Sequence, residues 1–307
     1  MKIGIFGDVH IRVKGPRSRT DDWFSTQLVK FICALDFFKS HGVEIIIQPG
    51  DFFDSPRPVY KAISTYMGEL IRRDFMMLTV LGQHDVYYHD VSDPTRTATN
   101  VMHEANCAYI LQPDKPVRSG NAQFYGASWG QEPCSVKRSG DNVYVLVAHA
   151  HVAAKAMWEG HAPTLPADYA NQHTGYDLIV LGDCHYFFRT QVGDTLVVNM
   201  GSLMRMRNTP LDRKHEPTVG VYDTDTGGLF THKLPIKPAE EVFVDREVED
   251  VKPSVELDGF LTKLKDSGQI GTSFIDNLNT LMDSEQSSRE LRSVVGQILQ
   301  TVGVKDE

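Results

Sequence analysis

Five short stretches in the first 185 residues end an apolar run in aspartate, histidine or both. They are GDVH at 7–10, GDFFD at 50–54, GQHD at 82–85, AHAH at 148–151 and GDCH at 182–185. Any one of them alone reads as an ordinary turn, because Gly-Asp pairs are common there. The recurrence is what carries information. Aspartate oxygens and imidazole nitrogens gathered in one cleft form a donor set suited to manganese, iron or zinc. A carboxylate can also bridge two cations roughly 3.5–4 Å apart, the separation of two-metal hydrolases, where the pair activates water and steadies the oxygens of a displacement at phosphorus. The chain has no Walker-type glycine loop and no GxSxG elbow, so P-loop nucleotide hydrolysis and serine acyl transfer lack support.

Such a cluster needs rigid elements behind it. KIGIFGD (2–8), VEIIIQPGD (43–51), MMLTVLGQHD (76–85), VYVLVAHAH (143–151) and DLIVLGDCH (177–185) read as buried strands. DDWFSTQLVKFICALDFFKSHG and PVYKAISTYMGELIRRD, which fall between the first three, show helical periodicity. Alternating strand and helix predicts an α/β fold, layered with sheet inside. In such sheets functional groups collect beyond the carboxyl ends of the strands. QFYGAS, TLVVNMGS and TVGVYDTDTGG add further strands. The proline- and acid-rich segment from about 235 to 255 predicts a boundary between domains 1–235 and 236–307. The second is expected to be a small α+β or helical domain. It would end in a helix near 287–302, with Ser287 and Glu290 as a capping box and an apolar stripe from Leu291 to Val302.

A hydrophobic fraction of 41% and a charged fraction of 23% over 307 residues are those of an ordinary globular protein. No apolar run approaches the ~20 residues that span a bilayer, and no cleavable export signal opens the chain. Four scattered cysteines without CxxC spacing favour a reducing cytoplasm over a disulfide frame or a thiolate zinc site. The net charge of −9 weighs against a nucleic-acid partner, although carboxylates that hold divalent cations are neutralised locally. Basic residues do gather near the proposed strand ends: Arg12, Lys14 and Arg17 after GDVH, and Arg205 and Arg207 after the Gly-Ser turn at 201–202. They are candidates to track a phosphate backbone.

The ordered motifs resemble the DxH, GD, GNH(D/E), H, GHxH signature of calcineurin-like metallophosphoesterases. Within that superfamily, GDFFD, VVNMGSLMRMR (197–207) and the following TVGVYDTDTG strand pair look most like SbcD-type DNA repair nuclease subunits. The resemblance covers about residues 1–235, and at 307 residues the chain is closer in length to phage versions than to full-length bacterial ones. It implies a layered metallophosphoesterase fold and two divalent metals, manganese before magnesium. One metal would be held by Asp8, His10 and His185, the other by Gln83, His149 and Asp183, with Asp51 bridging. It further implies that His84 protonates or stabilises the leaving oxygen and that Asp85 orients His84, with His151 and Asp54 as neighbours of the site.

Two positions depart from the family pattern: Gln83 stands where asparagine is usual and Asp183 where histidine is usual. Both keep a donor atom. The function so implied is a DNA phosphodiesterase, exonuclease on duplex ends and endonuclease on single strands, acting as a homodimer with an SbcC-like coiled-coil ATPase in a bacterial or phage-infected cytoplasm, with no membrane. Two rivals stand beside it: a phosphatase or small phosphodiesterase for nucleotides or phosphoproteins, and a non-catalytic DNA-end or partner-binding scaffold.

Overall fold

The structure, a computed structural model, describes residues 1–157 and 161–244. Among the described residues, twelve strands form two six-stranded mixed sheets. The first contains β1 (Lys2–Ile5), β2 (Ile45–Gln48), β3 (Met76–Thr79), β4 (Ala108–Ile110), β11 (Thr218–Asp223) and β12 (Gly228–Lys233), in the order β12-β11-β1-β2-β3-β4. The second contains β5 (Val117–Ser119), β6 (Ala122–Ala127), β7 (Val143–Ala148), β8 (Leu178–Leu181), β9 (Phe188–Val192) and β10 (Thr195–Asn199), in the order β5-β6-β7-β8-β10-β9. Strands β1 to β4 run parallel, as do β6, β7, β8 and β10. All five strands inferred ahead of the acid-and-histidine endings therefore point their carboxyl ends the same way within their own sheet.

Side-chain alternation builds the layers. Ile3, Ile5 and Ile47 of the first sheet meet Phe124, Val145, Val147, Leu178 and Val180 of the second in a fully buried core between the sheets. The residues in between face outward. Ile46 and Met77 pack beneath helices α1 (Trp23–Ser40) and α2 (Tyr60–Arg72), among Phe31, Leu35, Phe38, Tyr66 and Leu70. On the far side, Tyr144, Leu146 and Ile179 pack with Tyr169 of α4 (Pro166–Gln172). A strand buried on both faces has no polar side, which is why these segments read as continuous apolar runs. The shorter helices α3 (Ala98–Glu104), α5 (Pro210–Lys214) and α6 (Ala239–Val242) complete the described chain.

Helix α1 starts where Asp22 accepts a hydrogen bond from the Ser25 amide (3.1 Å), an N-cap that satisfies one of the orphan donors of the first turn. It stops at Gly42, whose φ of +70° turns the chain so that the Val43 amide returns to the Phe38 carbonyl (3.0 Å). Past residue 235 the chain returns to this region: Thr20 donates to Val242 and Val244 to Ser18 through the backbone. Residues 245–307, including the expected terminal helix at 287–302, lie outside the described residues. No helix of the described residues is long and apolar enough to cross a membrane.

Phe31 is fully buried and its ring meets those of Phe6, Phe52 and Tyr66. Phe31→Ala should therefore cost about 3–5 kcal/mol in a denaturant melt. A loss below about 1 kcal/mol would mean that α1 does not lock onto the sheet through this residue.

Candidate metal centre

The five strand ends converge. The turn after β1 carries Asp8 and His10, the turn after β2 carries Asp51 and Asp54, and the turn after β3 carries Gln83, His84 and Asp85; β7 leads to His149 and His151, and β8 to Asp183 and His185. Backbone bonds lock the first two turns together, since the amides of Val9 and His10 both donate to the Asp51 carbonyl (3.2 and 2.9 Å). The side-chain amide of Gln27, on α1, donates to the carbonyls of Val9 and His10 (2.7 and 3.0 Å). His10, Asp51 and Asp183 all hold positive φ (51°, 51° and 72°), a conformation that L-residues adopt at a cost and that concentrates at functional turns.

The donor atoms lie close together. Three overlapping trios, Asp8/His10/His185, His10/Asp51/His84 and Asp8/Asp51/His149, each bring one ligand atom per residue within 4.8 Å of the others. His10 Nε2 faces His185 Nε2 at 3.0 Å, and His185 Nε2 is 3.6 Å from Asp8 Oδ2. His149 donates from Nδ1 to the Pro49 carbonyl (2.7 Å), which fixes the ring so that Nε2 is directed at Gln83 Oε1 (2.7 Å) and Asp51 Oδ2 (3.5 Å). Asp183 accepts from Gln83 Nε2 (2.7 Å) on one oxygen and contacts His151 Nδ1 (2.6 Å) with the other. Its own amide donates to Asp8 Oδ2 (2.9 Å).

The test of whether this set fits divalent cations lies in its orphaned atoms. Asp8 Oδ1 and Asp51 Oδ2 are buried carboxylate oxygens with no hydrogen-bond partner among the described residues. Buried carboxylates are otherwise paired or hydrogen-bonded, and two of them converging with imidazole nitrogens match the chemistry of a metal pair. The titration behaviour agrees. Burial, with the repulsion of Asp51 and Asp183, drives Asp8 up to about 8. Burial opposes charge on His149, yet the carboxylates of Asp51, Asp8 and Asp183 outweigh it and raise the ring to about 10. Burial and the neighbouring His10 push His185 down to about 3. Protons on Asp8 and His149 thus offset the negative charge that cations would otherwise neutralise.

Three sequence expectations change. Asp85 does not orient His84. Its carboxylate is buried and taken up by the amides of Gly82 (3.0 Å) and Phe53 (3.1 Å) and by the Thr99 hydroxyl (3.3 Å), so it holds the turn. His84 instead has its amide on Asp51 Oδ1 (2.8 Å) and its Nδ1 3.3 Å from the Asp54 carbonyl. Asp54, expected only as a neighbour, lies with Oδ1 3.2 Å from His10 Nδ1 and accepts from Arg12 through Oδ2 (2.9 Å). Arg205 is not a surface cation: it is buried, with its guanidinium on the carbonyls of His215 and Lys237. Lys14, Arg17 and Arg207 are exposed as expected.

Some positioning residues were not singled out in advance. Gln48 closes the turn after β2, accepting from the Gly50 amide (3.1 Å) and the Thr79 hydroxyl (2.7 Å). Asn199 accepts from the Gly201 amide (2.7 Å) and donates to the Gly182 carbonyl (3.4 Å), which ties the end of β10 to the turn holding Asp183. A lone amide ending a buried apolar strand was the available signal in both cases. His161, Nε2 to Nε2 at 3.2 Å from His151, also borders the centre. Gly82 is required by a close approach, because a Cβ there would lie 2.1 Å from Asp51 Oδ1.

Residues 1–227 match the family described as the Calcineurin-like phosphoesterase superfamily domain. A 99-residue stretch is 28% identical to "Exonuclease subunit 1" of Enterobacteria phage T4, covering 31% of this chain and only 28% of that protein's length. Among solved structures, a novel archaeal phosphodiesterase is 18% identical over 76% of this chain and all of its own, with a TM-score of 0.45. A dimetal phosphatase from Danio rerio is 13% identical over 72% of this chain and 91% of its own, with a TM-score of 0.43. The chain belongs to the calcineurin-like phosphoesterase superfamily.

Two outcomes test the centre. Because Asp8 and His149 must give up protons before they can ligate, manganese binding near pH 7 should release at least one proton per chain, and affinity should rise with pH. Calorimetric titration in buffers of different ionisation enthalpy reads this directly; pH-independent affinity between 6 and 9 would contradict it. Asp183→Ala should lose one of two bound cations, whereas Asp183→His should keep both and gain zinc tolerance, since imidazole suits zinc better than carboxylate does. Metal content by mass spectrometry decides, and an Asp183→Ala protein with full metal content would reduce Asp183 to a turn residue.

Proposed function

We propose that this calcineurin-like phosphoesterase cleaves DNA phosphodiesters, as the nuclease subunit of an SbcCD-like end-processing complex. The observation that carries the hydrolytic part is the pair of buried carboxylate oxygens without a hydrogen bond, Asp8 Oδ1 and Asp51 Oδ2, amid His10, His149 and His185. Asp8, His10 and His185 would hold one cation, Gln83, His149 and Asp183 the other, with Asp51 between them. When bound, two divalent cations supply Lewis acidity toward a phosphoryl oxygen and lower the pKa of water.

The chain's own residues do the rest. The His84 side chain is 45% exposed at the open edge, while the ligand set beneath it is largely buried. Its ring packs edge-on against His10 at 4.9 Å and its Nδ1 lies near the Asp54 carbonyl, so Nε2 is free to meet a leaving oxygen and deliver a proton. The exposed cations Lys14, Arg17 and Arg207 flank the same turns and suit an extended polyanion. The partial likeness to the phage exonuclease subunit supports a DNA substrate. Manganese as the metal, a homodimer and a coiled-coil ATPase partner bound through residues 236–307 complete the proposal. A phosphatase acting on small esters is the second reading, favoured by the net charge of −9.

Manganese-loaded protein should hydrolyse linear duplex DNA and a nitrophenyl diester far faster than a nitrophenyl phosphomonoester; the reverse order would establish the second reading. His84→Ala should lower turnover by roughly 10²–10⁴ with the metal content unchanged. Loss of metal along with activity would make His84 a ligand instead, as its placement within the His10/Asp51 trio allows.

A further inference from the structure

Away from the metal centre, a cavity of about 340 Å³ opens between α1 and the segments that follow β10 and β12. Its walls include Arg19, Lys30, Arg205 and Lys237, with Val29, Ile236 and Val242 as the apolar part. None of these belongs to the cluster at the strand ends. Lys30 is the anomaly. It is 5% exposed and its ammonium makes no hydrogen bond or ion pair among the described residues, yet the nitrogen is not sealed off and lines the cavity. Buried lysines are normally paired, because an unpaired buried charge is costly. Burial, aided by the nearby charges of Arg19 and Arg205, depresses Lys30 to about 7.

The other cations differ in what they have left to offer. Arg19 is held by Asp21 through both Nε and Nη2 (2.8 and 2.7 Å), so its charge is largely answered. Arg205 uses Nε and Nη1 on carbonyl oxygens, which neutralise nothing. Lys237 is exposed at the mouth. Asp21 acts on Lys30, and Glu216 and Glu240 on Arg205, only at a distance, so Lys30, Arg205 and Lys237 bring basic groups that make no ion pair from three separate segments of the chain.

We propose that this cavity is a binding site for a small phosphate ester or phosphonate with an apolar body, separate from the metal centre. Donors arriving from three segments suit a group with three outward oxygens better than a planar carboxylate, and phosphoryl oxygens accept strong charge-assisted bonds. The volume falls within the range of about 300–1,000 Å³ usual for small-molecule sites. The apolar wall formed by Val29, Ile236 and Val242 gives the rest of the molecule somewhere to lie.

The test uses the full-length protein, freed of metal with chelator, and phenylphosphonate as a probe that cannot be hydrolysed. Calorimetry should show saturable binding of one phenylphosphonate per chain, at least tenfold tighter than inorganic phosphate or benzoate. Lys30→Met should weaken it at least tenfold, and the exposed Lys237→Ala, which carries no folding risk, severalfold. Lys30→Met keeps the buried stem and removes only an amine that makes no hydrogen bond, so its melting temperature should equal or exceed that of the wild type, which separates lost binding from lost fold. No saturable binding, equal affinity for benzoate, or unchanged affinity in Lys30→Met would each overturn the proposal. The last of these would mean that the anion binds outside this cavity.

Discussion

Two buried carboxylates, Asp8 and Asp51, are held where they cannot avoid one another, and the surrounding structure is organised by that conflict. Both are fully inaccessible to solvent. An effective penalty of several kcal/mol attends each ion taken out of water, whereas a hydrogen bond returns only about 0.5–1.5 kcal/mol net. The amides of His84 and Asp183 donate to Asp51 and Asp8 respectively, but two such bonds are too weak to settle the balance. Positive charge has to enter. Protons on Asp8 and His149 supply it, and the same atoms would accept divalent cations in place of those protons.

That conflict explains why the fold is layered. Asp8, Asp51 and Gln83 leave the first sheet, while His149, Asp183 and His185 leave the second. The cluster exists only if the two sheets keep a fixed register. The inter-sheet core of isoleucine, valine and leucine supplies this, since a close-packed interior transmits position from one sheet to the other with little slack. The turns then need very little length. Gly82 brings the third turn against Asp51, and left-handed backbone at His10, Asp51 and Asp183 aims side chains that an ordinary turn would direct elsewhere.

Much of this was legible in the sequence, for a physical reason. Strands buried on both faces must be apolar throughout, so their ends are sharp, and the acid and histidine residues just beyond stand out against them. The partition of roles within the site was less legible. Asp85 and Asp54 are both acids near a proposed catalytic histidine, and spacing alone favoured the adjacent one. The turn geometry reverses that choice, because Asp85 points back into the amides of Gly82 and Phe53. Arg205 failed in the same manner: a basic run reads as surface until the chain is seen to fold one of its members inward. Gln48 and Asn199 act through backbone groups of neighbouring turns, so the lone amide that closes an apolar strand marks the residue but not its contacts.

The two departures from the family pattern are best understood together. An amide at position 83 brings a donor as well as an acceptor. Its oxygen lies with His149 Nε2, and its nitrogen therefore requires an acceptor of its own. A histidine at 183 fixed as a ligand through one nitrogen would offer that donor no second lone pair, whereas a carboxylate has lone pairs to spare. Asp183 accepts from Gln83 Nε2 at 2.7 Å and still contacts His151 with its other oxygen. The two departures therefore meet in one hydrogen bond, and Asp183 adds a negative charge that a histidine there would not.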